Sequence, residues 1–552
     1  MLAALVYREA EGFRKNLVLA TILSGGSHAS VVFLVHARTQ AGEFSAVRLC
    51  LMLGLTCTLY AVSFRESHQI VSRLFETTVY QLRTRIIDKI RHAELQGIEK
   101  IGHVEIYTRL TQEIHFITNS AWGITLGIHA TTMLIVALIH IATISTEAIL
   151  VTLLIYGGGG FAYYLLRKKA RILIHEQLRK QRSMFSVLGD LIHGIKEVQL
   201  HAKRGHELLA DVREMAASLR ASPLQINHIN QRAFVLARFL LFMLLAVMVF
   251  VLPQIMDAHE QTLTTLVSAA TFMFVPMTSL LKALSEYERA DLAAESILAI
   301  EQRIEQTMMA APANRSNPWD GRFSELRIAD LVYQHTDAGG RETFAIGPLD
   351  MSIRAGEIVF LVGGNGSGKT TLLRLLSGLY TPSKGSLRVD DIPVGPDNIN
   401  AYREMITAVF TDFHLFKKLY GLSDASSELI DRLLKLMQLS EQTAFQDNLF
   451  TTLALSTGQR KRLAMVVALL EDRPLYTFDE WAADQDPEFR RYYYEELLPD
   501  LKRRGKTVIA ISHDDRYFHC ADRVITMEYG AIRTIELNPQ SSDMPRQPLI
   551  AS

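Results

Sequence analysis

At 552 residues the chain is too long for one ordinary domain, and length alone suggests about three or four units. Its 58 basic and 58 acidic residues cancel, which removes any global electrostatic case for nucleic acid as a partner. Mean hydropathy is nevertheless positive at +0.13, so apolar residues must be concentrated in one part of the chain. The three cysteines, Cys50, Cys57 and Cys520, suggest packing residues and not a disulfide framework, since two share one apolar run and the third is far away.

The first 300 residues carry the apolar concentration. Six runs approach the roughly 20 residues, at about 1.5 Å each, that a bilayer crossing needs: Asn16 to His36, Phe44 to Phe64, Trp122 to Thr143, Ile149 to Leu166, Phe234 to Pro253 and Leu263 to Leu284. An even number puts both ends of the chain on one side. Arg8, Arg14 and Lys15 precede the first run, and only Arg38 follows it. Dense sets of Lys and Arg lie between runs two and three (Arg65 to Arg109) and between four and five (Arg167 to Arg232), and none in the connections after runs three and five. This is the positive-inside pattern with cytoplasmic termini, and the length of the first run argues against a cleaved signal peptide.

Two of the basic connections are far longer than a turn. Leu82, Ile86, Ile87, Ile90 and Leu95 recur at helical spacing, as do Val187, Leu188, Leu191, Ile192 and Ile195, so runs two to five should continue beyond the membrane as long helices. Breaks are expected at Gln96-Gly97 and Gly205-His206, where a short helix could touch a cytoplasmic partner. Within the membrane, Ser24-Gly25-Gly26-Ser27-His28, Gly157 to Gly160, His129 and His140 stand out. The histidines should face the bundle interior or a water-filled cavity, there to touch substrate or to bond between helices; the small residues permit close helix contact.

From Glu286 to Trp319 the chain turns polar and passes through Ala311-Pro312-Ala313-Asn314-Arg315-Ser316-Asn317-Pro318. This places a membrane domain at 1–310, a linker at 311–322, an α/β domain at 323–540 and a polar tail at 541–552. In the α/β domain, Ile358 to Val362, the loop Gly363-Gly364-Asn365-Gly366-Ser367-Gly368-Lys369-Thr370 and Thr371 to Leu376 read as strand, glycine-rich loop and helix. Glycines let backbone N–H groups converge, the helix N-terminus adds positive potential, Lys369 supplies a mobile cation, and the Thr370 hydroxyl can ligate Mg²⁺. The pattern predicts a nucleotide phosphate cradle.

Three later stretches fit the same chemistry. Leu475 to Glu480 reads as a buried strand ending in two carboxylates, Asp479 placed to hold Mg²⁺ and Glu480 to deprotonate an attacking water. Leu455-Ser456-Thr457-Gly458-Gln459 opens a second helix with a hydroxyl and a glycine suited to another anion. Val508 to Asp515 is a strand delivering His513 at its C-terminal end, where ligands bind in open α/β sheets. Alone, each could be an acidic strand end, a helix cap or a surface histidine.

The order GGNGSGKT, LSTGQRKR, FDE and SHDD resembles an ATP-binding-cassette ATPase, and six spans fused upstream resemble an exporter half-transporter. The string DEWAADQDPEFRRYYYEELLPDLKRRGKTVIAISHDDRYF is similar to the branch that handles cyclic peptides, lasso microcins and siderophore precursors in bacteria. The resemblance implies an α-helical six-span transmembrane domain fused to a C-terminal α/β P-loop ATP-binding-cassette domain. It implies that Tyr333 stacks on adenine, Lys369 contacts β- and γ-phosphates, Thr370 and Asp479 hold Mg²⁺, Glu480 activates water, and His513 senses the γ-phosphate. Ser456, Gly458 and Gln459 would close over ATP held by an opposite subunit, with Asp486 in the loop crossing between subunits. Where most cassettes place a glutamine this chain has Thr411-Asp412; threonine is shorter, so Asp412 is expected to reach toward the metal. Thr457 replaces a usual glycine.

The implied protein is a homodimeric, ATP- and Mg²⁺-dependent exporter in the bacterial inner membrane. It would move a cyclic or modified peptide, or a siderophore precursor, by alternating access. A lipid or lipid-linked-sugar flippase, a broad multidrug exporter, and a membrane-bound regulatory ATPase without transport share the same motifs.

Overall fold

A computed structural model describes residues 1–9, 14–40, 46–255, 260–308, 317–336 and 341–538. Phe44 at the start of the second expected span, linker residues 311–316 and the tail 541–552 lie outside them. The chain divides into two compact units, Met1–Arg91 with Ile101–Gln306, and His92–Lys100 with Thr307–Ser552. Two units replace the three or four that length suggested, because helices of 45 to 48 residues gather nearly 300 residues into one bundle.

The first unit is helical. Among the described residues five helices are long and apolar enough to cross a membrane: Val47–His92, His103–Ile144, Thr146–His193, Ala202–Ile255 and Thr262–Glu305. The first expected span falls on Arg14–Gln40, whose 27 residues extend about 40 Å, also enough to cross. Helix Ala46–His92 has 47 residues and runs about 70 Å, more than twice the roughly 30 Å of hydrocarbon, so its charged half continues beyond any bilayer. Ser145 makes the tight turn between two spans: in extended conformation, it caps the next helix by accepting from Ala148 N at 3.0 Å.

The long helices break differently from expectation. Gln96 and Gly97 lie inside a short helix, Leu95–Ile101, which ends before Gly102 at φ 89°. Gly205 and His206 lie inside Ala202–Ala246; the second break comes earlier, at Gly194 and His201, on either side of the short helix Ile195–Leu200. Gly194 (φ −92°, ψ 22°) and the extended His201 leave the helical conformation, whereas Gly205 keeps it, and a Cβ there would lie 3.4 Å from Val198 Cγ1.

Small residues set the close contacts of this bundle. A Cβ on Gly25 would lie 2.4 Å from Thr132 Cγ2, and one on Gly127 2.5 Å from Ala283 Cβ. Of the four glycines 157 to 160 only Gly159 meets a neighbour, Leu240; the other three face open space. Arg167 is buried and donates to Glu288 Oε1, Asn230 Oδ1 and Ser285 Oγ, each at 3.0 Å. Glu301 accepts from Arg85 Nε at 2.8 Å and Lys89 Nζ at 2.7 Å. Removing one partner from such a buried group costs about 3–5 kcal/mol.

In the second unit the strands are β1 Glu325–Thr336, β2 Glu342–Arg354, β3 Ile358–Val362, β4 Lys384–Val389, β5 Ile392–Pro393, β6 Ile406–Val409, β7 Phe445–Gln446, β8 Leu449–Phe450, β9 Leu475–Asp479, β10 Thr507–Ile511, β11 Arg523–Glu528 and β12 Ala531–Leu537. A six-stranded sheet runs β12-β11-β3-β10-β9-β6, parallel except for β12 at its edge. An antiparallel sheet runs β2-β1-β4-β5, and β7-β8 is a hairpin turned by Asp447-Asn448 with both φ positive.

Strand β3 is buried throughout, and its alternate residues serve two cores. Ile358, Phe360 and Val362 join Val508, Ala510, Tyr476 and Phe478 beneath the helices Ser427–Leu436 and Thr457–Glu471. Val359 and Leu361 join Ile509 and Ile511 beneath the helix Lys369–Leu376 and the antiparallel sheet. Fully burying each such side chain contributes about 1.5–3 kcal/mol. A sheet filled on both faces fixes the C-terminal ends of β3, β9 and β10, and the candidate site is built there.

Candidate functional site

The loop after β3 turns because glycine is required. Gly363 has φ 141°, and a Cβ there would lie 2.2 Å from the Met527 carbonyl oxygen. Gly368, at φ 99°, caps the helix Lys369–Leu376, where a Cβ would press on Ile346. Lys369 is 6% exposed, and its Nζ donates to the carbonyls of Gly363 (3.0 Å) and Gly364 (2.9 Å), folded over the loop. Burial lowers its pKa, against the pull of Glu480 and Asp479. Ser367 Oγ is buried with no hydrogen-bond partner among the described residues, and Asn365 and Gly366 are exposed at the loop's tip.

Strand β9 delivers Asp479, 1% exposed, between two hydroxyls: Thr370 Oγ1 donates to Oδ1 and Thr411 Oγ1 to Oδ2, each at 3.3 Å. Burial and then Glu480 raise this carboxyl above the ordinary aspartate value. A buried carboxyl destabilised by its surroundings, two hydroxyls with free lone pairs and an orphaned serine fit a phosphate and its Mg²⁺. Thr370 and Asp479 would hold the cation.

Glu480 follows at φ 50°, in the left-handed region that disfavours it. Its Oε1 lies 2.9 Å from Nε2 of His513, which comes from the end of β10. Lys461, 4% exposed, donates to the Glu480 carbonyl at 2.7 Å and pairs with Asp484 at 2.7 Å. Sequence reading missed Lys461; its only signal was a cation at a helix position otherwise facing the apolar core.

Two expected placements need correction. Asp412 is 66% exposed at its side chain and pairs with Arg374 at 2.9 Å; the shorter Thr411 touches Asp479. The geometry therefore favours Thr411 at the metal side and gives Asp412 to Arg374. Arg374 also donates to Tyr380 Oη at 2.6 Å and Glu99 Oε1 at 3.3 Å, and Tyr380 Oη donates to Glu99 Oε2 at 2.9 Å. Tyr333 is 1% exposed and stacked on Tyr380, with centroids 5.0 Å apart, so its face is not open to adenine. His335, two residues on along the same face of β1, is partly exposed, and its Nε2 lies 3.1 Å from Thr371 Oγ1 in the first turn of the cradle helix. Burial and then Arg374 hold His335 below the ordinary histidine value, favouring a neutral ring. The period-2 alternation of strands was the available signal.

The second helix, Thr457–Glu471, begins with a reciprocal capping box between Ser456 and Gln459. Ser456 is exposed; a Cβ on Gly458 would lie 2.6 Å from the Asp484 carbonyl oxygen. Asp486 caps the helix Pro487–Tyr492 through Phe489 N at 2.8 Å and pairs with Arg462; the Phe489 N–H and Arg462 hold its carboxyl below the ordinary aspartate value.

Residues 346–483 match the ABC transporter family. Over 535 residues the chain is 30% identical to the ATP-binding protein SyrD of Pseudomonas syringae pv. syringae, covering 93% of each protein. The chain belongs to the ABC transporters. The transporter is also 23% identical to an ATP-dependent lipid A-core flippase of Burkholderia orbicola, over 85% of its own length and 80% of that protein. Its fold superposes on a bacterial Atm1-family ABC exporter solved with ATP bound, with TM-score 0.80, 16% identity and 96% of each chain covered. It thus has the fold of an exporter half-transporter, with helices long and apolar enough for several membrane crossings and a C-terminal domain of the kind that couples ATP hydrolysis to transport.

Proposed function

We propose that two copies of this transporter, in a bacterial inner membrane with cytoplasmic termini, export a cyclic or otherwise modified peptide or siderophore precursor. The meeting of Lys369, Thr370, Asp479, Glu480 and His513 at three adjacent strand ends supports ATP hydrolysis as the driving step. Bound Mg²⁺ would screen phosphate charge. Lys369 would leave the glycine carbonyls for the β- and γ-phosphates, with the backbone from Gly363 to Gly368 around them. Glu480 would accept the proton of the attacking water while His513 fixes its carboxylate, and His335 would stack on adenine. Exposed Ser456 and half-buried Gly458 would close over ATP held by a second copy, making two equivalent sites. The Asp412–Arg374–Glu99 chain ties the Thr411 segment to residues His92–Lys100 and would carry closure toward the spans.

The peptide cargo rests on the string from Asp479 to Phe518, which resembles the cyclic-peptide branch. A lipid cargo is the second reading, favoured by the flippase relatives. Inside-out proteoliposomes separate the two: ATP-dependent uptake of a cyclic peptide supports export, whereas translocation of a labelled lipid without peptide uptake supports flipping. ATP hydrolysis with neither would leave a regulatory ATPase. The Glu480→Gln variant should bind ATP with little change yet lose at least 100-fold in turnover; wild-type turnover would remove Glu480 as the base.

A further inference from the structure

In the helical unit a row of rings passes through four helices. Tyr60, Phe64 and His68 sit at successive four-residue intervals, on one face of Ala46–His92. Trp122 and His129, seven residues apart, share a face of Ile114–Ile144. His28 enters from Arg14–Gln40, which the missing side chain of Gly25 lets approach Thr132 closely. The rings are in contact throughout: His28 with Tyr60 at 4.8 Å, Tyr60 with Phe64 at 5.7 Å, Phe64 with His129 at 4.7 Å and with Trp122 at 6.1 Å, and Trp122 with His68 at 4.6 Å. Phe272 closes the far end, 5.8 Å from His28.

One member is chemically incomplete. His129 is 4% exposed, and both its ring nitrogens are buried with no hydrogen-bond partner among the described residues. A neutral imidazole always carries one donor and one acceptor, so a buried, unpartnered one is a standing demand for a ligand group or a water. The other end of the row is open: Trp122 is 47% exposed. Phe64 lies next to Arg65, where the apolar run ends, so the row leads from a polar boundary into the bundle.

We infer that this row is a cargo-binding subsite for a neutral aromatic ring bearing a hydroxyl, with the ring stacked against Phe64 and Trp122 and the hydroxyl bonded to His129. A hydroxyl both donates and accepts, so it satisfies His129 in either tautomer. The apolar ring walls disfavour an anion, and an uncharged hydroxyl avoids the desolvation cost that any charged group would meet there. The inference rests on the peptide-export reading and adds to it the feature that the cargo must carry.

The test uses full-length dimeric transporter in phosphatidylethanolamine/phosphatidylglycerol nanodiscs. Three radiolabelled cyclic hexapeptides serve as probes, each with five glycines and one tyrosine, phenylalanine or leucine. Wild type should bind the tyrosine peptide about tenfold more tightly than the phenylalanine peptide, and the leucine peptide most weakly. His129→Phe should erase the tyrosine-over-phenylalanine preference and keep that of phenylalanine over leucine. His129→Gln, which retains a donor and an acceptor, should keep both. A histidine that merely packs against a water would alter all three affinities alike. No tyrosine preference in wild type, or an unchanged one in His129→Phe, overturns the subsite. Uptake of the same peptides into inside-out proteoliposomes tests the export reading separately. Uptake of all three with equal affinity keeps export and overturns the subsite; selective binding that depends on His129, without ATP-driven uptake, keeps the subsite and overturns export.

Discussion

Replacing Lys461 by methionine should slow hydrolysis without weakening ATP binding. The amine is buried, donates to the Glu480 carbonyl at 2.7 Å and pairs with Asp484, while Trp481 Nε1 bonds back to the Lys461 carbonyl at 2.8 Å. A charge-assisted hydrogen bond of this kind contributes about 1.5–3 kcal/mol, and a non-glycine residue held at positive φ costs about 1–3 kcal/mol. The two are of similar size, so the lysine bond is large enough to offset the strain of the Glu480 turn. Methionine keeps the packing of the stem, and Asp484 is exposed enough for water to take over its half of the pair.

Without the bond the turn should relax, and a carboxylate displaced by about 1 Å costs up to about 100-fold in rate. We expect kcat to fall about 10- to 100-fold, equivalent to about 1.4–2.7 kcal/mol, with ATP Kd within about twofold of wild type. The apparent Tm should drop by about 3–10 °C. Asp484→Asn, which spares the bond to the carbonyl, should cost less than about threefold. Steady-state ATPase and nucleotide-binding assays on purified transporter read all of these. Wild-type kcat in Lys461→Met, or a loss confined to Kd, would refute the reasoning.

Thr411→Val should lower Mg²⁺-dependent kcat about tenfold and Asp412→Asn at most about threefold, because Thr411 touches buried Asp479 while Asp412 meets an exposed pair; the reverse ranking would return the metal role to Asp412. His335→Ala should raise the Kd for a fluorescent ATP analogue about tenfold with little change in Tm. Tyr333→Ala should instead destabilise by about 3–5 kcal/mol and leave the affinity of the folded fraction unchanged; equal affinity losses would restore Tyr333 as the adenine platform. The raised pKa of Asp479 sets a sign: its contribution to the nucleotide-free fold is most favourable below the unfolded aspartate range and declines as pH rises through the folded value. Asp479→Asn removes that decline, so the Tm difference, variant minus wild type, should be more positive at a pH above the folded value than at a pH below the unfolded aspartate range. A difference independent of pH would mean that the burial cost is already offset by Thr370 and Thr411.

The cradle, the carboxylate pair and the strand-end histidine were legible in sequence because each sits where a short motif fixes the backbone: a glycine loop between strand and helix, or the end of a fully buried strand. The long helices were legible from their apolar period. What eluded sequence reading depends on side-chain direction. Tyr333 and His335 share a strand face, and nothing in Leu331-Val332-Tyr333 tells which of the two is covered by Tyr380. Thr411 and Asp412 are neighbours that point apart, and the longer side chain goes to Arg374 because that cation is held nearby by Glu99 and Tyr380. The breaks at Gly194 and His201 went unread because a second glycine, Gly205, offered the same local signal inside an intact helix.

Lys461 also bears on why one chain would need another. The helix that exposes Ser456 is fastened through Lys461 to the turn that carries Glu480 of the same chain, while the Ser456 hydroxyl is occupied by its own helix cap. If Ser456 closes over the nucleotide of a second copy, any shift of that helix on engaging the phosphate pulls directly on the catalytic turn of its own chain. Occupancy of one ATP site would then adjust the base of the other through one helix and the bonds that Lys461 makes to the Glu480 turn. In Lys461→Met, which keeps only the Trp481 bond, the coupling should weaken: mixed dimers carrying one Glu480→Gln subunit should approach half the activity of the Lys461→Met parent, and fall well below half when Lys461 is present.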